Sequence, residues 1–246
     1  CDEVGMLAYE ESSQSWLGMN HWDSEMYTKM VIRDRNHPSV AIWGFLNEVN
    51  ASDARTNKAR KYLTELREYD ETRLVCFSSG RWDRDYSYGS FSNSGSTTWD
   101  VMLGGEGEKA DSPGDVHFYP NYPFSEDEAY ESIYKLGKDG DQPTFISETG
   151  TGNTPNVFLD AYKRTINGAD PNSYMTTGLS NNVVNGITSI YNKYGLNKIY
   201  DTPEDVTKDS ESNNILQRYA LMNYIRANGR LNGVGATSLS DAQSLG

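Results

Sequence analysis

Two glutamates, Glu48 and Glu148, are the residues of this sequence best placed to do chemistry. Each stands at the end of a short stretch that predicts a strand, 40–46 for Glu48 and 143–148 for Glu148. Two carboxylates that face each other can cleave a glycosidic bond, one as proton donor to the leaving oxygen and the other as nucleophile at the anomeric carbon. Taken alone, Glu48 fits a helix cap or an ion pair equally well, and the two glutamates by themselves fit unrelated ion pairs at the rim better than a catalytic pair.

The stretch 40–46 predicts a strand that is covered on both faces. Its residues, Val-Ala-Ile-Trp-Gly-Phe-Leu, are all apolar or glycine, as in the buried strands of a parallel sheet. Asn47 and Glu48 follow directly and are therefore expected at the carboxyl end of this strand. In parallel α/β barrels, that end carries the catalytic side chains.

The whole chain alternates predicted strands with helices or long connections. The predicted strands are 6–9, 40–46, 73–77, 115–119, 143–148 and 233–239. The predicted helices are 23–35, 52–69, 125–136, 183–193 and 212–227. This alternation is typical of a parallel α/β fold, in which Glu48 and Glu148 reach one rim. Two polar stretches, near 81–114 and 151–210, are longer than ordinary connections, and we interpret them as insertions in a single domain of residues 1–246.

Composition and charge exclude several classes of protein. The net charge of −13 argues against a nucleic-acid partner and fits a neutral carbohydrate substrate. No apolar run of about 18 residues predicts a transmembrane helix, so no membrane partner is expected. Cys1 and Cys76 give no disulfide framework. His21, His37 and His117 lack the spacing of metal ligands, so neither a metal nor a cofactor is predicted.

A sixteen-residue segment at 33–48, RDRNHPSVAIWGFLNE, strongly resembles the acid/base signature of glycoside hydrolase family 2. That family contains β-galactosidases, β-glucuronidases and β-mannosidases, which are retaining enzymes on a (β/α)8 TIM barrel. Further segments resemble the family's strands 3, 6, 7 and 8 in the same order: DEVGMLAYEE at 2–11, DVHFYP at 115–120, FISETG at 145–150 and TSLSD at 237–241. The resemblance is weakest over 83–110 and 151–210.

The resemblance implies a role for each matching position. Glu48 would be the general acid/base and Glu148 the nucleophile of a double displacement. Asn47 would hydrogen-bond the sugar 2-hydroxyl, a contact that strengthens in the transition state. Tyr119 would contact the carboxylate of the nucleophile and hold its orientation.

Four further residues are candidate substrate contacts. His117 precedes Tyr119 by two positions, so both point to the same side of a strand, although a packed core histidine is the alternative. Trp82 follows a predicted strand and is a candidate for stacking on a sugar face, with plain loop packing as the alternative. Glu10 and Asp241 lie at other predicted strand ends and are candidates for contacts to sugar hydroxyls.

Numbered in the family's order, the predicted strands run from 3 to 8. Strands 1 and 2 and the last helix have no counterpart, so the sequence predicts an incomplete TIM barrel. An open sheet exposes the backbone edges that a closed barrel abolishes. We therefore expect this chain to be a segment of a larger polypeptide.

The leading interpretation is a retaining exo-β-glycosidase that hydrolyses terminal β-linked sugars. One alternative is an endo-acting glycanase of the same clan, and another is a non-catalytic carbohydrate-binding barrel fragment. The sequence does not identify the sugar. The family's part in polysaccharide degradation favours a periplasmic or secreted location over the cytoplasm.

Overall fold

A computed structural model describes most of the 246-residue chain. The described residues are 1–12, 23–48, 54–80, 91–92, 114–120, 125–136, 144–150, 156–170, 172–173 and 181–236. The strands are β1 (Ala8–Glu11), β2 (Val40–Asn47), β3 (Leu74–Ser79), β4 (Phe91–Ser92), β5 (Gly114–Phe118), β6 (Thr144–Thr149) and β7 (Leu231–Ala236). The α-helices are α1 (Ser24–Asp34), α2 (Ala54–Tyr69), α3 (Glu126–Lys135), α4 (Val157–Ile166), α5 (Asn182–Lys193) and α6 (Pro203–Ala227). Short 3-10 helices cover Asp2–Val4 and Leu196–Lys198.

In the described part of the chain, the strands form two sheets. The first has the order β1-β2-β3-β4, in which β1, β2 and β3 are parallel and the two-residue β4 is antiparallel to β3. The second has the order β5-β6-β7 and is parallel throughout. The parallel α/β arrangement predicted from the alternation is therefore confirmed. No ladder between described strands joins the two sheets, so these residues do not show a closed barrel.

Helices α1 and α2 hold β2 in place through an apolar core. Helix α1 begins after Asp23, whose carboxylate caps it by accepting a hydrogen bond from the Glu25 N–H at 3.0 Å. Tyr27 stacks on Phe45 with ring centroids 4.3 Å apart and donates its hydroxyl to the Phe45 carbonyl at 3.1 Å. The buried residues of this core are Tyr27, Met30, Val31, Val40, Trp43, Phe45, Leu46, Ala59, Leu63, Leu66 and Val75.

A polar anchor joins β2 to the turn before β3. The Asp70 carboxylate accepts hydrogen bonds from the Trp43 indole at 2.9 Å, from the Arg73 guanidinium at 2.6 Å and from the Thr72 hydroxyl at 2.7 Å. Arg73 also donates to the Val40 carbonyl at 2.7 Å. Burial opposes ionisation of Asp70, but the hydrogen bonds outweigh it, so the pKa of this carboxyl lies below its usual value.

The predicted strands are present, and their bounds differ from the predicted ones by a few residues. The difference that matters for the site is at β1, predicted as 6–9 and found at Ala8–Glu11. Pairing with β2 continues as far as Glu11, which lies opposite Gly44. Glu10 is therefore inside the strand. The adjacent carboxylates Glu10 and Glu11 do not interrupt the backbone pairing.

The described part of the stretch predicted as an insertion at 151–210 is largely helical. It contains α4, α5 and the first turns of α6, a helix predicted only for 212–227. Helix α6 begins at Pro203 after Thr202, whose backbone N–H and hydroxyl both donate to Asp205. The first turns are polar and lack the apolar periodicity that predicts a helix. Of the insertion predicted at 81–114, the structure describes only Phe91–Ser92 and Gly114.

The chain divides into two compact units. The first comprises 1–119, 130–149 and 225–236 and contains all the described strands. The second comprises 120–129, 150–224 and 237–246. None of the described helices has both the length and the apolarity needed to cross a membrane.

Candidate active site

Glu48 and Glu148 are brought together by the carboxyl ends of parallel strands. Glu48 directly follows β2, and Glu148 is the second-last residue of β6. The β5–β6 ladder shifts register between Val116 and His117, and this shift places His117 opposite Glu148. All three residues belong to the first unit.

The imidazole of His117 lies between the two carboxylates. Its Nδ1 is 2.9 Å from Oε1 of Glu48 and 3.4 Å from Oε2 of Glu148. Those two oxygens are therefore at most about 6.3 Å apart, the sum of the two distances. Carboxyl groups of retaining glycosidases are about 5–5.5 Å apart, whereas inverting enzymes need about 6.5–9.5 Å to admit a water. The limit for this pair of oxygens lies below the range that inverting enzymes need.

The two glutamates have different surroundings. Oε2 of Glu148 accepts a hydrogen bond of 2.6 Å from the Tyr119 hydroxyl, and the Glu148 side chain is 19% exposed. The Glu48 side chain is 44% exposed and forms a hydrogen bond with His117. Glu148 is thus fixed in orientation by a phenol, while Glu48 is open to an incoming group.

The backbone of Glu48 is held in a conformation that side chains rarely adopt. Its φ is 54°, in the left-handed region, which costs a residue with a Cβ roughly 1–2 kcal/mol. Its N–H donates to the Ser79 carbonyl at 2.7 Å across the β2–β3 pair. Such backbone strain is concentrated at functional sites, and here it aims the Glu48 side chain at His117.

Gly80, the residue after β3, leaves room for the His117 ring because it has no side chain. A Cβ on Gly80 would lie 2.2 Å from atoms of that ring, and Gly80 has a φ of 42°. Glycine alone satisfies both conditions, since it has no Cβ and adopts positive φ without penalty. The sequence pattern around Gly80 does not indicate this role, because the role depends on a contact with a residue 37 positions away.

Asn47 is tied to β1 through the buried hydroxyl of Ser79. Ser79 Oγ lies 3.1 Å from the Asn47 amide oxygen and 3.0 Å from Oε2 of Glu11. The Tyr9 hydroxyl donates to the same Glu11 oxygen at 2.8 Å. Glu11 was not a candidate from the sequence, although its alternation with Tyr9 along β1 would have placed both on one face.

Glu10 does not join this cluster, in contrast to the sequence-based expectation. It points to the other face of β1 and pairs with Arg33 of α1 at 2.9 Å. Burial, together with the neighbouring Asp34, raises the pKa of the Glu10 carboxyl to about 7, although Arg33 opposes the shift. The carboxylate of β1 that lies on the site's face is Glu11.

Two candidates fall outside the described residues, namely Trp82 and Asp241. Of the other candidates, Glu48, His117, Tyr119 and Glu148 are joined by direct contacts. Asn47 precedes Glu48 and contacts Ser79, and Glu10 lies apart from them. Within the described ranges, no group of three or more His, Cys, Asp or Glu side chains is arranged to hold a metal ion.

Comparison with known proteins relates this site to a family of enzymes. The sequence model of glycosyl hydrolases family 2, TIM barrel domain, matches residues 5–104, a range that includes Glu48 and ends before Glu148. A β-galactosidase of Thermoanaerobacterium thermosulfurigenes is 31% identical over 103 residues, which are 39% of this chain and 14% of that protein. A putative β-glucuronidase of Formosa agariphila is 34% identical over 80 residues, which are 28% of this chain and 10% of that protein. This chain therefore spans only a small part of the length of these relatives.

Proposed function

We propose that the protein is a retaining exo-β-glycosidase that removes terminal β-linked sugars, since the sequence model of glycosyl hydrolases family 2, TIM barrel domain, matches residues 5–104. The observation that carries the proposal is that Glu48 and Glu148 both lie within 3.4 Å of one histidine nitrogen. The family match alone indicates glycoside hydrolysis, and the retaining mechanism rests on this spacing. The relatives' names, β-galactosidase and putative β-glucuronidase, support galactosides or glucuronides as substrates.

The proposed reaction has two displacements at the anomeric carbon. In the first, an oxygen of Glu148 attacks that carbon, the glycosidic C–O bond breaks, and Glu48 gives its proton to the leaving oxygen. In the second, Glu48 takes a proton from water, and the water oxygen displaces Glu148. The greater exposure of Glu48 suits a group that must meet both the leaving group and the water.

The neighbouring side chains have supporting roles in this proposal. Tyr119 holds the Glu148 carboxylate in one orientation through its 2.6 Å hydrogen bond. His117 keeps the two carboxylates at a fixed separation, and Asn47 binds the sugar 2-hydroxyl. Trp82 and Asp241 stay proposed sugar contacts.

We further propose that strands from a longer polypeptide complete the barrel. Among the described strands, β1 pairs only with β2 and β7 only with β6. Three apolar residues before or near β1 are well exposed, Val4, Met6 and Leu7 at 72, 63 and 75%. An open strand edge beside exposed apolar side chains is a surface that proteins ordinarily cover.

The test is turnover of a panel of aryl β-glycosides by the natural-length protein, meaning the longer polypeptide proposed above, and by its Glu148→Gln variant. We expect the variant to lose at least about a thousandfold in kcat, because it lacks the nucleophile. Proton NMR of the first-formed product should show the retained anomer.

Glu25→Gln is the matched control, because Glu25 is an exposed glutamate of α1 that pairs with Lys29. This variant should hydrolyse the aryl β-glycosides with the same kcat as the wild type. Equal rates for wild type and Glu148→Gln would contradict the catalytic assignment, and an inverted product would contradict the retaining mechanism.

A further inference from the structure

The hydroxyl of Ser79 faces more hydrogen-bond acceptors than it can satisfy. Ser79 is fully buried, and its Oγ lies 3.0 Å from Oε2 of Glu11, 3.1 Å from Oδ1 of Asn47 and 3.4 Å from the Leu46 carbonyl oxygen. A hydroxyl carries one proton, so it donates fully to one of the three. The direction of that proton decides what Ser79 offers to Asn47.

Glu11 is the acceptor that takes the proton. It is the nearest of the three oxygens, and a carboxylate accepts a stronger hydrogen bond than a neutral carbonyl or amide oxygen. The Tyr9 hydroxyl donates to the same oxygen at 2.8 Å. Burial raises the pKa of Tyr9 well above its usual value, so Tyr9 keeps its proton and stays a donor at neutral pH.

With its proton directed at Glu11, Ser79 meets Asn47 as an acceptor. The two ends of an asparagine amide fit the same space, so the NH2 end can bond to Ser79 Oγ. The amide oxygen then faces the site. We propose that Glu11 is a positioning residue, which acts through Ser79 to fix the orientation in which Asn47 meets the sugar 2-hydroxyl. This inference rests on the proposed function for the identity of the ligand.

The experiment compares kcat/KM for an aryl β-glycoside and for its 2-deoxy analogue, using the natural-length protein and single variants. For Glu11→Gln we expect a loss of about tenfold on the 2-hydroxy substrate and no loss on the 2-deoxy substrate. Ser79→Ala should behave in the same way. Adding Glu11→Gln to Asn47→Ala should cost nothing further, because both changes act on one contact.

Glu10→Gln is the matched control, because it removes the same charge one residue away on the opposite face of β1. It should leave the ratio between the two substrates unchanged. The positioning role is overturned if Glu11→Gln lowers both substrates equally, or if it has no effect while Ser79→Ala does. A wild-type protein that hydrolyses none of the panel overturns the proposed function, and the positioning role with it.

Discussion

At the scale of single residues, the surroundings of His117 indicate which of its ring nitrogens carries the proton. Nδ1 faces Glu48 and Glu148, whereas the buried Nε2 has no hydrogen-bond partner among the described residues. An ionised carboxylate only accepts hydrogen bonds, so a proton on Nδ1 lets the imidazole donate to its neighbours. A proton on Nδ1 is therefore favoured, and His117 donates toward the carboxylates.

The contact between Gly80 and His117 gives a residue-scale prediction. Gly80→Ala should lower the free energy of unfolding by about 1–3 kcal/mol, because the new methyl group strains the backbone and overlaps the imidazole. Activity should fall as well, since the displaced His117 no longer spaces Glu48 and Glu148. Thermal unfolding and kcat on an aryl β-glycoside are the measurements.

Gly5→Ala separates these two effects. Gly5 also has a positive φ, 70°, but a Cβ there would meet nothing within 4 Å. This variant should lose some stability from the backbone alone and keep full activity. Equal activity losses in both variants would show that the contact with His117 is not the cause.

At the scale of elements, β2 is fixed from both of its ends. The anchor of Asp70, Arg73 and Trp43 holds its beginning, and the Glu48 N–H bonded to the Ser79 carbonyl holds its end. The guanidinium of Arg73 also lies over the Trp43 ring at 5.5 Å. A strand tied at both ends carries Asn47 and Glu48 with little freedom to move, as a preorganised site requires.

Asp70→Asn should destabilise the fold by about 2–4 kcal/mol, because Arg73 loses the charge of its buried partner. In the wild type, the folded pKa of Asp70 lies below its ordinary value of 3.8. The stability that the ionised group contributes is therefore present above pH 3.8 and is lost as the pH falls toward the folded pKa. Urea unfolding between pH 7 and pH 2 measures both effects.

The Asn variant should lose this part of the acid sensitivity and keep the rest. An exposed ion pair supplies the comparison, since Glu25 and Lys29 are both more than half exposed and Glu25→Gln should change stability by less than about 1 kcal/mol. A wild-type protein and an Asp70→Asn variant with parallel pH curves would refute the role given to this carboxylate.

At the scale of the whole molecule, the outer edges of β1 and β7 determine whether the barrel is complete. Alternate N–H groups of β1 point away from β2, and no described strand accepts them. If further strands cover this edge in the natural-length protein, all amides of β1 should be protected from hydrogen exchange to a similar degree.

Mass spectrometry or NMR of exchanged samples measures this protection, with β2 as the internal reference because it is paired on both sides. Fast exchange of every second amide of β1, beside full protection in β2, would show an open edge and rule out a completed barrel.

Local sequence determined the elements and the positions of the two glutamates on them. The apolar run that forms β2 is long enough for one strand and ends at Asn47, so the prediction of a buried parallel strand is confirmed. Spacing by two predicted that His117, in β5, and Tyr119, the residue after β5, point to the same side, and both contact Glu148. These features depend on the period of the pattern, which is a local property.

The tertiary structure decided which side chains meet. Successive side chains of a strand point to opposite faces, so Glu10 and Glu11 cannot both face the site. Glu11 lies on the site's face of β1, and Glu10 forms an ion pair with Arg33 on the other face. Ser79 and Gly80 became part of the site only because β3 lies beside β2 and its end reaches His117. Such contacts join residues 32 to 68 positions apart, and no local pattern in the sequence specifies them.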